Sequence, residues 1–182
     1  MKKRILLVIV SFSLILFPLH QTSHAANITL NNTPAQIYFS PKGGCTEAIV
    51  NEISHAKSEI YVQAYSFTSV SIAKALVDAH KRGIKVEAIL DKSQKKERYT
   101  SATFLANSGI PTYIDSKHAI AHNKIMVIDK ETVITGSFNF TKAAEEKNAE
   151  NLLILKNKEM ASQYLMNWSK HKNHSDSYSG RE

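Results

Sequence analysis

His122, Lys124, Asp129, Gly136, Ser137 and Asn139 fall within eighteen positions as H-x-K-x4-D-x6-G-S-x-N. An imidazole is a nucleophile, while an ammonium, a hydroxyl and an amide are donors for the oxygens of a phosphate. No cluster of carboxylates accompanies them to hold a metal. The set reads as phosphodiester chemistry that calls for no metal ion and no cofactor. In-line displacement also needs an acid for the leaving oxygen, and the motif contains only one histidine after that role is counted.

Strand parity sorts these residues. If His122 to Asp129 is a strand, His122 and Lys124 share a face about 6.6 Å apart, close enough to meet one phosphate. Asp129 has the opposite parity and lies beyond the strand's end, so it reads as a structural or orienting carboxylate. Gly136 permits a turn after the strand Thr132 to Thr135. Ser137 and Asn139 then point one way and Phe138 and Phe140 the other, into the core. Taken singly, each of these residues is ordinary; their joint spacing is what carries the reading.

The elements that must position them alternate along the chain. Gln36 to Phe39, Ile60 to Tyr65, Val86 to Leu90, Pro111 to Ile114, Ile125 to Ile128, Thr132 to Thr135 and Leu152 to Leu155 read as strands. Helical spacing covers Thr46 to Ala56, a segment from Ser69 or Ser71 to Arg82, Tyr99 to Asn107 and Ala143 to Lys147. A terminal helix is marked by Met160, Tyr164, Leu165 and Trp168. The pattern predicts a single α/β domain with a central mixed sheet flanked by helices on both faces. No internal repeat is present.

The chain has 182 residues. Residues 1–25 carry Lys2, Lys3 and Arg4, an apolar run from Ile5 to Leu19, and Ser23-His24-Ala25, the pattern of a cleaved signal peptide. The expectation is a periplasmic or secreted protein with no stable membrane anchor after cleavage. Three of the 23 Lys and Arg and none of the 16 acids lie in that stretch, so the net charge falls from +7 to +4. Such a modest positive charge favours a polyanionic partner. The domain is expected over 26–170, with a disordered polar tail at 171–182. Cys45, the one cysteine, reads as a packing residue.

The motif resembles the H-K-D signature of the phospholipase D superfamily, and a single copy in a small exported chain is most similar to that superfamily's bacterial periplasmic endonucleases. The resemblance implies His122 as nucleophile through a phosphohistidine, Lys124 and Asn139 as phosphate ligands and Ser137 as a supporting donor. It also implies a downstream acid that orients the histidine, matched by Glu150.

The second proton handler is not evident in cis. His118 lies about 13 Å from His122 on an extended chain, too far to share a phosphorus, and reads as a groove or surface residue. His171 and His174 fall in the tail. A second chain supplies the missing group: a two-fold homodimer places two copies of His122 about one phosphate, as the resemblance also implies. Lys92, Lys95, Lys96 and Arg98 form a basic segment that fits phosphate contacts. Three substrate readings remain: a non-specific endonuclease acting on DNA or RNA, a phospholipase D acting on phosphatidyl head groups, and a nucleic-acid-binding module without catalysis.

Overall fold

The computed structural model describes residues 25–96 and 100–180. Apart from Ala25, the expected leader lies outside the described residues, as does Arg98 of the basic segment.

Eight strands form one mixed sheet. They are β1 (Ala35–Ser40), β2 (Glu59–Ala64), β3 (Lys85–Asp91), β4 (Thr112–Asp115), β5 (Lys124–Ile128), β6 (Thr132–Gly136), β7 (Glu150–Lys156) and β8 (Asp176–Tyr178). The spatial order is β1-β7-β6-β5-β2-β3-β4-β8. β2, β3 and β4 run parallel, joined by helical crossovers, and every other pairing is antiparallel. This is the expected α/β architecture.

The helices divide between the two faces. α1 (Cys45–Ser54), α2 (Val70–Lys81), α3 (Ala102–Asn107) and α4 (Lys142–Glu146) cover one face, where Ile60, Val62, Val86, Leu90, Met126, Ile134 and Ile154 build the larger core. α5 (Lys158–Lys172) lies on the other, where Ala161 packs with Ile125, Val127 and Val133. Period-two alternation in β2 and β5 makes this two-sided burial possible.

Local chemistry sets the helix ends. Ser69 Oγ accepts from Ile72 N at 3.4 Å to start α2, and Asn157 Oδ1 accepts from Met160 N at 2.9 Å to start α5. α1 borrows its cap from elsewhere. Glu145 of α4 accepts from the N–H groups of Gly44 and Thr46 at 3.0 and 2.7 Å, placing an anion at that helix's start. Cys45 is wholly buried beneath it, and burial together with the Glu145 charge pushes its thiol pKa up to about 11. A neutral thiol packed in the core is no nucleophile.

The tail expected to be disordered from residue 171 is instead built into the fold. α5 continues to Lys172, and β8 pairs antiparallel with β4. The cause is polar: Trp168 Nε1 donates to Val62 O at 2.9 Å, Lys172 pairs with Glu87, and His171 and His174 meet the buried Asp115. A hydrophilic segment orders when its partners are buried acids contributed by distant strands.

Candidate active site

Antiparallel pairing brings the motif to one end of the sheet. The start of β5 lies beside the end of β2, where Ala64 pairs with Lys124, and Gly136 at the end of β6 pairs with Leu152 near the start of β7. His122, Lys124, Gly136 to Asn139 and Glu150 therefore gather at the same edge, although they span 29 positions of sequence.

His122 precedes β5 instead of opening it, because the regular strand begins at Lys124. The ladder extends one further bond, from Tyr65 N to Asn123 O at 2.8 Å. The His122 side chain is held by packing: its ring centroid lies 4.6 Å from that of Tyr65, tilted by 54°. The residue is exposed. Its ring makes no hydrogen bond among the described residues, so it is oriented yet accessible.

Lys124 is only 7% exposed. Its ammonium donates to His122 O at 2.8 Å and sits 5.0 Å from the centroid of the Tyr65 ring. Burial lowers its pKa from the usual lysine value, and the negative charge of Glu150 opposes that shift. A cation so placed is poorly solvated, and a phosphate oxygen offers it a stronger partner than a carbonyl.

Gly136 is required by contact as well as by conformation. Its φ is 141°, and a Cβ there would meet Asn151 O at 2.3 Å. The missing side chain lets β6 close on β7, where Ser137 N and Phe138 N both donate to Asn151 O at 3.1 and 3.2 Å. Asn151 in turn donates to Ser137 Oγ from its backbone at 3.1 Å and its amide at 3.3 Å. Both bonds use lone pairs, so the Ser137 hydroxyl proton remains available to a ligand.

Phe138 and Phe140 are fully buried, and the Phe140 ring meets Phe67 edge-on at 5.7 Å. Each such burial stabilises by about 2 to 3 kcal/mol, which locks the alternation that turns Ser137 and Asn139 away from the core. Asn139 Oδ1 is buried with no hydrogen-bond partner. The Nδ2 group of the same amide is the end that can donate to a phosphate oxygen.

Glu150 opens β7, where Oε1 accepts from Asn148 Nδ2 at 3.1 Å. Within one chain it makes no hydrogen bond to His122. Asp129 lies at the opposite end of β5 with φ 54°. Its carboxylate accepts from the backbone N–H groups of Lys57, Ser58 and Glu59 and from Ser58 Oγ, at 2.8 to 3.2 Å. Burial raises its pKa, but these donors outweigh that effect and hold it below the usual aspartate value. It ties the β5–β6 turn to the start of β2 and is remote from the motif histidine.

The basic segment is divided. Lys92 to Lys95 form a single 3-10 turn, and Lys92 Nζ donates to His118 O at 3.0 Å, so it anchors the loop entering the site. Lys95 and Lys96 are exposed. His118, expected as a groove or surface residue, turns its ring to Asp115, with Nδ1 2.9 Å from Oδ2. Sequence reasoning missed Tyr65, Asn151 and Asp91. Asp91 is 2% exposed and accepts from Ala121 N at 2.7 Å, fixing the residue just before His122.

The family described as cardiolipin synthase, PLD-like domain, matches residues 49–171. The chain belongs to the phospholipase D superfamily. A Rickettsia conorii protein named Phospholipase D is 43% identical over 148 residues, which cover 81% of this chain and 74% of the relative. Mitochondrial cardiolipin hydrolase of Mus musculus is 30% identical over 110 residues, half of its own length. Among solved structures, the phospholipase D family member Nuc from Salmonella typhimurium gives a TM-score of 0.78 at 40% identity, covering 81% of this chain and 99% of that one. NucT from Helicobacter pylori gives 0.75 at 23% identity, covering 81% of this chain and all of that one, a likeness of fold alone. This superfamily member is a phosphodiesterase-type enzyme.

Proposed function

We propose that this phospholipase D superfamily enzyme is an exported, metal-independent endonuclease that cleaves DNA, and RNA as well, with little sequence preference. The observation that carries the reading is the gathering of an accessible His122, a buried Lys124, a free Ser137 proton and the Asn139 side chain at one sheet end. The likeness to Nuc along essentially its whole length and the exposed Lys95 and Lys96 favour a nucleic acid over a lipid.

In this scheme a His122 nitrogen attacks phosphorus in line. The bond from phosphorus to the leaving oxygen breaks, and an acid returns a proton to that oxygen. Water then attacks the phosphohistidine, releasing the phosphate end and free His122. Lys124, Ser137 and Asn139 stabilise the charge on the five-coordinate phosphorus, each good donor contributing about 3 kcal/mol by analogy with oxyanion holes.

The acid is the partner's His122. Two features support a homodimer with the site on its axis. Ile37 and Phe39 of β1 are 63% and 67% exposed on the sheet face that α5 leaves open, and Phe39 pairs with Asn151 beside Ser137. Glu150 does not reach His122 within a chain, and in a symmetric pair it orients the partner's His122 instead. Isolated heterodimers of wild type and His122→Asn are then inactive; full activity in them sinks the shared site.

The proposal is tested on supercoiled plasmid and on phosphatidylcholine vesicles, each with EDTA. Nicking of plasmid in EDTA, with no choline release, is expected. The Rickettsia relatives named Phospholipase D favour the alternative, a phospholipase D acting on phosphatidyl head groups, and choline release without nicking would establish it. Nicking that stops in EDTA and returns with a divalent ion would overturn the metal-independent chemistry.

A further inference from the structure

Asp115, His118, His171 and His174 lie outside the site described above and have no part in its chemistry. Asp115 ends β4 with its side chain fully buried, His118 is on the loop that follows, His171 is in the last turn of α5, and His174 is in the turn before β8. One nitrogen from each histidine and one carboxylate oxygen fall within 4.8 Å of one another.

The three imidazoles converge on one carboxylate oxygen. Oδ2 of Asp115 faces His118 Nδ1 at 2.9 Å, His171 Nδ1 at 2.8 Å and His174 Nε2 at 3.3 Å. Oδ1 meets His118 Nδ1 at 3.1 Å and the backbone N–H groups of Lys117 and His118 at 3.2 and 3.3 Å. A carboxylate has about four lone-pair sites, two on each oxygen. Three imidazoles crowd a single oxygen, and their ring centroids are only 4.8 to 5.3 Å apart. A cation at their common centre relieves that crowding, because each lone pair then meets a positive charge.

We propose that Asp115, His118, His171 and His174 form a structural zinc(II) site. Four N and O ligands in two short-spaced pairs, Asp115 with His118 and His171 with His174, suit tetrahedral zinc, whose ligand bonds of about 2.0 to 2.2 Å put ligand atoms about 3.3 Å apart. The backbone donors on Oδ1 act as an outer shell that aims Oδ2 at the metal. The site is closed, with every position filled by protein, so it supplies no metal-bound water and no catalytic step. The His118 side chain is 43% exposed and gives the ion a way in. A bound ion joins the loop 116–121 that leads to His122 to the end of α5 and to β8.

The inference is independent of the substrate reading and is tested on the full mature chain without a histidine tag. Purified protein equilibrated with zinc(II) and freed of excess is expected to retain one zinc per chain by elemental analysis. Cobalt(II) in its place should give the intense visible bands of a tetrahedral ion. Zinc a hundredfold above its dissociation constant should raise the melting temperature by about 5 to 10 °C. The His171→Ala/His174→Ala variant is expected to lose all three responses. Because that variant can fail to fold, the wild-type titration decides. Wild-type protein that takes up no zinc above a control, or whose cobalt spectrum is octahedral, overturns the site. So does uptake that survives intact in a folded double variant.

Discussion

His122 and the histidine trio around Asp115 sit at the same end of one sheet, at β5 and β4, three strand spacings or about 14 Å apart. They are held in opposite ways. His122 is exposed and packs against an aromatic face, with no hydrogen bond to its ring among the described residues. His118, His171 and His174 each commit a nitrogen to a carboxylate that has no solvent contact. In the mechanism proposed above His122 needs one ring nitrogen open to phosphorus, and within one chain the Tyr65 ring, not an acid, orients it. A structural histidine has the reverse requirement.

The contrast predicts opposite signatures, and the largest concerns chemistry. His122→Asn should reduce cleavage roughly 10^4-fold or more, as loss of a nucleophile does, with the melting temperature nearly unchanged. A plasmid-nicking time course beside a thermal melt checks both halves, and a variant that melts early would erase the distinction. Next is Lys124→Met, which keeps the packing against Tyr65 but removes the charge. A loss of about 10^2- to 10^3-fold is expected, read in single-turnover rates.

Smaller effects fall on stability. Asp115→Ala removes the anchor of three histidines and should cost about 3 kcal/mol in urea unfolding. Cleavage measured well below the melting temperature should fall by less than about tenfold; a loss as deep as that of His122→Asn would place Asp115 in the chemistry. The smallest concerns the turn at the far end of β5. Asp129→Ala forfeits four donors and should cost about 2 kcal/mol. Its folded pKa is depressed, so this contribution is complete above the unfolded aspartate value of about 3.9 and is lost as pH falls through the lower folded value. The gap between wild type and variant should therefore close in acid melts, and a gap that widens there would contradict the assignment.

The motif, the β5–β6 hairpin and the inward Phe138 and Phe140 were legible because each rests on short-range periodicity. β5 starts at Lys124, one residue before the expected Ile125 and two after the His122 supposed for strand parity, since a loop entering a strand has the same polar-apolar mixture as the strand's first pair. Tyr65 and Asp91 were not legible. They reach His122 only through the order β5-β2-β3, which depends on pairings made across the chain. The tail was misread for the same reason: its polarity suggested disorder, while the buried Glu87 and Asp115 that order it belong to strands far away in sequence. Glu150 was picked by its position, but within the chain its Oε1 accepts from Asn148 and it makes no hydrogen bond to His122.

β1 carries a further consequence for solubility. Its outer backbone edge is unpaired among the described residues, and Ile37 and Phe39 stand exposed beside it. An edge of that kind is a template on which stray strands add, the first step toward insoluble stacks. Pro34 and Pro41 bracket it immediately before Ala35 and after Ser40. Neither proline can donate to a growing ladder, so an intruding strand has six residues to grip and no room to lengthen. Replacing either proline would extend the sticky edge, and the cost would be read in turbidity well before it was read in catalysis.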